Sequence, residues 1–311
     1  MTTLRPTRRA TMILAAGALA APALLRPAPA PAQTAPAPAS AAFAPYRRFQ
    51  LGSLRVTTLL AGSRPMEKPQ EIFGLNASAE EFAALSQAAF LPADRSMNFF
   101  TPTLVETGSE VILFDTGLSA AGITAALAAA GVAPEAVTQV VLTHMHGDHI
   151  GGLAENGQPS FANAGYVAGQ VEFDHWARTG NEGFEAKVRP LAPKMRFLKA
   201  GEAVVSGITA LDAPGHTPGH MAYLLEDAGK GLILTADTAN HYVWSLERPD
   251  WEVKFDMDKA QAAQTRKALL GRIAAERLPF IGYHMPFPGL GFLEPRGAGF
   301  RFVPASYQLD L

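Results

Sequence analysis

The sequence predicts a layered α/β fold in which helices lie outside a mixed sheet. Short apolar runs with strand character recur at Leu54–Leu60, Val111–Phe114, Val140–Leu142, Ala222–Leu225 and Leu232–Thr235. Helical stretches lie among them at Ala120–Ala130, at Met257–Glu276 and around Glu172–Trp176. The two kinds of element mix without strict strand–helix alternation, which points to sheets covered by helices.

Taken in chain order, the first segment reads as an address. Thr7-Arg8-Arg9-Ala10-Thr11-Met12-Ile13 precedes an Ala/Leu/Ile-rich stretch broken at Pro22, and small residues follow at Ala28-Pro29-Ala30. A basic start, a short apolar centre and a small-residue site describe a secretory signal over residues 1–33, and the arginine pair suggests the twin-arginine variety. The expected location is therefore periplasmic or secreted. The apolar run falls short of the ~20 residues that span a bilayer, so no stable membrane insertion is expected after processing. Removal takes four arginines and no acid, leaving the remainder mildly acidic. Residues 34–45 are rich in Pro and Ala and read as a stiff linker. From Tyr46 to Leu311 no low-complexity break and no repeat interrupts a single predicted domain. Within it, the helical stretch from Ala120 stops at Gly131, with Pro134 after it.

Composition removes several chemistries. The 311 residues carry 26 basic and 28 acidic side chains, so no basic face marks a nucleic-acid binder. With no cysteine, thiol nucleophiles, disulfide scaffolds and thiolate metal sites are excluded. No G-x-S-x-G elbow or P-loop is present, which sets aside serine and nucleotide hydrolases. Of the eight histidines, none precedes His144 and three fall between 144 and 149.

That cluster is the central signal: Thr143-His144-Met145-His146-Gly147-Asp148-His149-Ile150-Gly151-Gly152, leaving the apolar run Val140-Val141-Leu142. In extended chain the pair His144-x-His146 turns both imidazoles to one side. Gly147 lets the chain turn, Asp148 and His149 face a second position, and Gly151-Gly152 permits close backbone approach. Three imidazoles and a carboxylate suit a borderline cation such as zinc and exceed one face of a single tetrahedral ion. Downstream candidates stand beside Gly, Pro or a strand end: His216 in Ala213-Pro214-Gly215-His216-Thr217-Pro218-Gly219-His220, Asp237 in Thr235-Ala236-Asp237, and His284 in Gly282-Tyr283-His284-Met285-Pro286.

This pattern, HxHxDH with a distant GH, a strand-end Asp and a late His, resembles the metallo-β-lactamase superfamily. The resemblance implies a four-layer αβ/βα sandwich with a dinuclear site at one edge. It implies that His144, His146 and His216 bind one metal, that Asp148, His149 and His284 bind the second, and that Asp237 bridges them. Asp148 and Asp237 are the carboxylates of the catalytic centre in this reading. Phe114-Asp115-Thr116-Gly117 matches the family's early strand-turn, whose aspartate supports the site without binding metal. The tail Met285-Pro286-Phe287-Pro288-Gly289-Leu290-Gly291, with Arg301-Phe302-Val303-Pro304, is similar to the methyl parathion hydrolases and related exported lactonase-like enzymes.

The implied function is hydrolysis of small ester-like substrates (a lactone, an aryl ester or a phosphotriester) by a hydroxide between two divalent ions, with zinc the expected metal. The alternative is a methyl parathion-like phosphotriesterase as the main activity. A glyoxalase II-like thioesterase lacks the basic C-terminal region that would hold an anionic glutathione tail. A di-iron redox protein would carry a glutamate in the first cluster and an attached flavin domain. By the same resemblance Trp176 and Phe184 line an apolar mouth, and a homodimer is implied. Acyl-homoserine lactonases carry a tyrosine three residues past the bridging aspartate. Here Asn240 stands in that place, and an amide donates a hydrogen bond without acting as a phenol. His241 reads equally as a substrate or ligand contact, His220 as a structural support rather than a ligand.

Overall fold

The computed structural model describes residues 43–305. The expected leader at 1–33 and most of the Pro/Ala-rich segment 34–45 lie outside the described residues. The first half of the chain runs β1 (Tyr46–Leu51), β2 (Leu54–Leu59), β3 (Gly62–Glu67), α1 (Ala79–Ala88), β4 (Arg95–Phe100), β5 (Thr103–Glu106), β6 (Val111–Phe114) and α2 (Ala120–Ala129). It continues through β7 (Gln139–Leu142), α3 (Gly147–Ile150), β8 (Ala154–Glu155), β9 (Gln158–Pro159), β10 (Gly165–Gly169), α4 (Gln170–Trp176), α5 (Glu182–Lys187) and β11 (Met195–Leu198). The second half comprises β12 (Ala203–Val205), β13 (Ile208–Asp212), β14 (Met221–Asp227), β15 (Lys230–Ala236), α6 (Trp244–Glu247), α7 (Lys259–Glu276), β16 (Phe280–Gly282), β17 (Leu290–Arg296) and β18 (Gly299–Pro304).

Two seven-stranded sheets result, ordered β1-β2-β5-β6-β7-β10-β11 and β12 through β18 in sequence. In the central strands β6, β7, β14 and β15 the apolar runs are unbroken because both faces are buried, whereas the edge strands β1 and β18 expose one face. Along β6, Ile112 and Phe114 face the second sheet, while Leu113 packs with Ile123 and Leu127 of α2. Along β14 and β15, Tyr223, Leu225, Leu232 and Leu234 face the first sheet. Ala222, Leu224 and Ile233 turn the other way, onto Leu269, Leu270 and Ile273 of α7. The layers are therefore helix, sheet, sheet, helix: the αβ/βα sandwich.

The five strand runs read from sequence match β2, β6, β7, β14 and β15 to within two residues at either end. Helix α7 begins at Lys259 rather than Met257, capped by Asp258, whose side chain accepts from Gln261 N. The two residues before Lys259 are held out of the helix because their N–H groups donate to the carbonyls of His216 and Gly215, at 3.1 and 2.9 Å. Helix α1, which the sequence reading omitted, carries a full capping box between Ser78 and Glu81. It sits inside the excursion between β3 and β4, a hairpin that pairs with neither large sheet.

Among the described residues no helix is long and apolar enough to cross a membrane.

Candidate metal centre

One edge of the sandwich collects the C-terminal ends of β6, β7, β13, β15 and β16. Each releases a polar residue there: Asp115, His144, His216, Asp237 and His284 follow within a few positions. After His146 the chain enters the single helical turn α3, which brings Asp148 and His149 back to the edge. That turn uses ordinary right-handed backbone at Gly147. The glycines that matter are the next two. A Cβ on Gly151 would lie 2.3 Å from the Leu118 carbonyl oxygen, and one on Gly152 would lie 2.2 Å from that of Thr116.

Three donor groups converge: His144, His146 and His216; His144, His149 and Asp237; and Asp148, His149 and His284. Nitrogens of His146 and His216 stand 2.9 Å apart, and those of His144 and His146 3.1 Å. Around a tetrahedral zinc with bonds of 2.0–2.1 Å, neighbouring nitrogens stand about 3.3 Å apart. Asp237 reaches both ends of the cluster, with Oδ2 at 3.2 Å from His216 Nε2 and Oδ1 at 3.2 Å from His149 Nε2. His149 Nε2 and Asp237 Oδ1 are buried without a hydrogen-bond partner, and both point into the cluster. Inward-facing imidazole and carboxylate donors at these spacings fit two metal ions.

The rings are held from behind, as metal ligands are elsewhere. His149 Nδ1 donates to Asp115 at 2.8 Å, and His284 Nδ1 to the Phe99 carbonyl at 2.8 Å. His144 Nδ1 donates to the Thr143 hydroxyl, which donates in turn to Asp115. Asp115 thus orients a ring in each half, from a left-handed backbone position with φ 60°. His216 Nδ1 donates to Asp256 at 2.9 Å, and Asp256 accepts from buried Arg266 at 2.6 Å. Arg266 also donates to the Thr238 carbonyl, which locks the segment after Asp237.

The electrostatics suit cations. Burial opposes charge on His216, but its hydrogen bonds and proximity to Asp237 and Asp256 win, raising it to about 9. Burial likewise opposes charge on His149 and His284, and the surrounding carboxylates raise both. Burial holds His144 well below its ordinary value and takes His146 to about 4. The carboxylates therefore keep protons on part of the cluster, where metal ions would displace them.

His220 is a support: its Nδ1 donates to the Ala213 carbonyl, its Nε2 accepts from Asp237 N–H, and burial lowers it to about 3. His241 contacts no other residue of the cluster. Its Nδ1 accepts from the N–H groups of Val243 and Trp244, and its ring stacks on Trp244 at 3.8 Å. Asn240 does line the cavity, but its Nδ2 donates to Asp237 at 2.9 Å, so one of its two amide N–H groups is already engaged.

The two aromatics assigned to the mouth sit elsewhere. Phe184 is fully buried in the core beneath the first sheet, because α5 turns its apolar face inward. Trp176 is also buried, its indole Nε1 donating to Glu172 at 2.6 Å and its edge against His146. Neither lines the cavity over the cluster. That cavity, about 460 Å³, is walled by Pro65, Met66, Ile72, Phe73, Phe100 and Phe255, with Arg64 and Asn98 at its rim. Sequence reasoning missed these residues, and it missed Asp256, Arg266 and Glu172, which have no signature of their own.

Comparison with known proteins places this geometry. A family model described as the metallo-beta-lactamase superfamily matches residues 101–279. An N-acyl homoserine lactonase from a Bacillus sp is 28% identical over 136 residues, which is 44% of this chain and 52% of that protein. The chain spans about half the length of the curated relatives it matches first. Among solved structures, the dizinc quorum-quenching lactonase AidC, with a product bound, superposes with a TM-score of 0.78 at 25% identity, covering 84% of this chain and 97% of that one. The hydrolase AbOPH superposes with a TM-score of 0.78 at 23% identity, covering 85% and 99%, a likeness of fold.

Proposed function

The chain belongs to the metallo-beta-lactamase superfamily, and from that premise we propose that it is a two-metal hydrolase of small, neutral, ester-like substrates. Lactones and simple esters are its native class in this reading, with phosphotriesters secondary. The observation that carries it is the juxtaposition of seven inward-facing donors with a largely apolar cavity of about 460 Å³ directly above them.

In this assignment His144, His146 and His216 would hold one ion, Asp148, His149 and His284 the other, with Asp237 within reach of both groups. Bound there, a pair of divalent ions, zinc by preference, supplies Lewis acidity and lowers the pKa of water toward neutrality. The protein does the rest. Asp115 and Asp256 fix ring orientation, so the donors need no rearrangement as charge develops. Asp148 is the cluster carboxylate most open to the cavity, its side chain 27% exposed against 4% for Asp237, which supports a role in taking up and returning a proton at the leaving oxygen. The apolar wall excludes water around an uncharged acyl or aryl group.

The test is kcat/KM of the zinc-loaded protein for an acyl-homoserine lactone against a dimethyl aryl phosphotriester. A ratio far above one is expected. A ratio far below one would make phosphotriesters the native class and overturn the preference. Export by the twin-arginine leader belongs to the same proposal: fractionation should recover processed protein outside the cytosol, and unprocessed precursor confined to the cytosol would sink it.

A further inference from the structure

The first turn of helix α4 carries a glutamate that belongs to neither donor group. Glu172 is fully buried, and its carboxylate accepts four hydrogen bonds. Oε1 accepts from Met145 N–H at 3.0 Å and from the Trp176 indole at 2.6 Å. Oε2 accepts from the Thr217 hydroxyl at 2.7 Å and from Gly219 N–H at 2.9 Å. Met145 stands between His144 and His146, and Thr217 follows His216. One carboxylate therefore ties the loop leaving β7 to the loop leaving β13, and those loops carry the three imidazoles of one donor group.

The approach is tight from both sides. A Cβ on Gly219 would fall 2.2 Å from Glu172 N, and one on Gly169 would fall 3.0 Å from the Gly219 carbonyl oxygen. Burying a carboxylate is unfavourable unless its lone pairs are met, and four donors meet them here. The other group is anchored without Glu172: His149 by Asp115, which also supports His144 through Thr143, His284 by the Phe99 carbonyl, and the Asp148 carbonyl by the Tyr283 hydroxyl at 2.6 Å. Glu172 bonds to none of these.

We propose that Glu172 is a positioning residue that sets the spacing between the His144/His146 loop and the His216 loop, and with it the affinity of that half of the centre alone. The proposal rests on the ligand assignment above. A carboxylate that only stabilised α4 would affect both halves equally or neither.

The experiment is a chelator-competition titration of metal-free protein with zinc, read as two stepwise affinities. Glu172→Gln leaves one accepting oxygen and turns N–H groups toward donors. It should weaken one binding step about 10- to 100-fold, as loss of a ligand's outer support does, and leave the other within about threefold. In a His284→Ala background the added Glu172→Gln should weaken the remaining ion; in a His216→Ala background it should not. Thr217→Val, which removes a single bond, should weaken the same step to a smaller degree and serves if Glu172→Gln does not fold. Equal weakening of both steps by Glu172→Gln, or no weakening by Thr217→Val, would overturn the proposal. A wild-type protein that binds no pair of zinc ions would overturn the ligand assignment instead, so the two failures are distinct.

Discussion

The floor and the walls of the cavity are built on opposite terms. On the floor nearly every ring is held by a second bond, as His149 is by Asp115 and His216 by Asp256, and all the donors but His146 and Asp148 are buried. The walls are apolar surfaces with few specific bonds: Phe255 and Leu118 are 48% and 39% exposed. Arg64 at the rim has no ion-pair or hydrogen-bond partner among the described residues. Much of the wall, from Arg64 through Phe100, precedes residue 101, where the family match begins. Metal binding tolerates few residue types at few spacings, whereas enclosing an apolar group tolerates many. The chemistry is therefore strongly specified and the substrate weakly so.

That contrast can be broken most directly at Asp237. Asp237→Ala should lower kcat by at least about a thousandfold, some 4 kcal/mol on the barrier, with less than the full metal content by elemental analysis; retained turnover would remove Asp237 from the floor. Phe184→Ala tests whether the core position excludes a wall role. Denaturant unfolding should show a loss of about 3–5 kcal/mol, with KM unchanged for the zinc-loaded enzyme. A raised KM would return Phe184 to the wall.

A smaller effect separates the floor with and without metal. In the metal-free protein His216 is raised to about 9, because Asp237 and Asp256 outweigh its burial. A histidine raised on folding contributes stability that is present below its unfolded value near 6.5 and lost as pH climbs through the folded one. The Tm of chelated protein should therefore fall between pH 6.5 and about 9. Metal uptake needs unprotonated rings and strengthens over the same range, so the Tm difference between loaded and chelated protein should widen. A constant difference would contradict this account. The mildest change is at the rim. Phe255→Ala should raise KM a few-fold for an apolar ester and leave kcat alone, with stability within about 0.5 kcal/mol. An equal loss in kcat would give the wall a part in the chemistry.

Legibility in the sequence follows the same divide. His144-x-His146 was readable because strand alternation and the donor type suffice. Asp115 was readable only through the resemblance of Phe114-Asp115-Thr116-Gly117 to the family's strand-turn. Asp256 and Glu172 were not, since an acid in a loop or at a helix start ordinarily faces solvent. Only the folded chain brings Asp256 to a histidine 40 positions away. Trp176 and Phe184 show the converse, because an aromatic on a short helix looks the same whether it faces a cavity or a core. Strand β3 escaped notice because Gly62–Glu67 carries Pro65, which counts against a strand except at an edge. It is such an edge, paired only with β4.

The separateness of that hairpin bears on how such an enzyme diversifies. Because β3 and β4 hydrogen-bond to each other and to neither large sheet, a change of length or register between Gly62 and Phe100 shifts no pairing in the sandwich. The stretch still touches the centre at one point, the Phe99 carbonyl that accepts from His284 Nδ1, so a change that spares this contact can recast the wall while the donors keep their places.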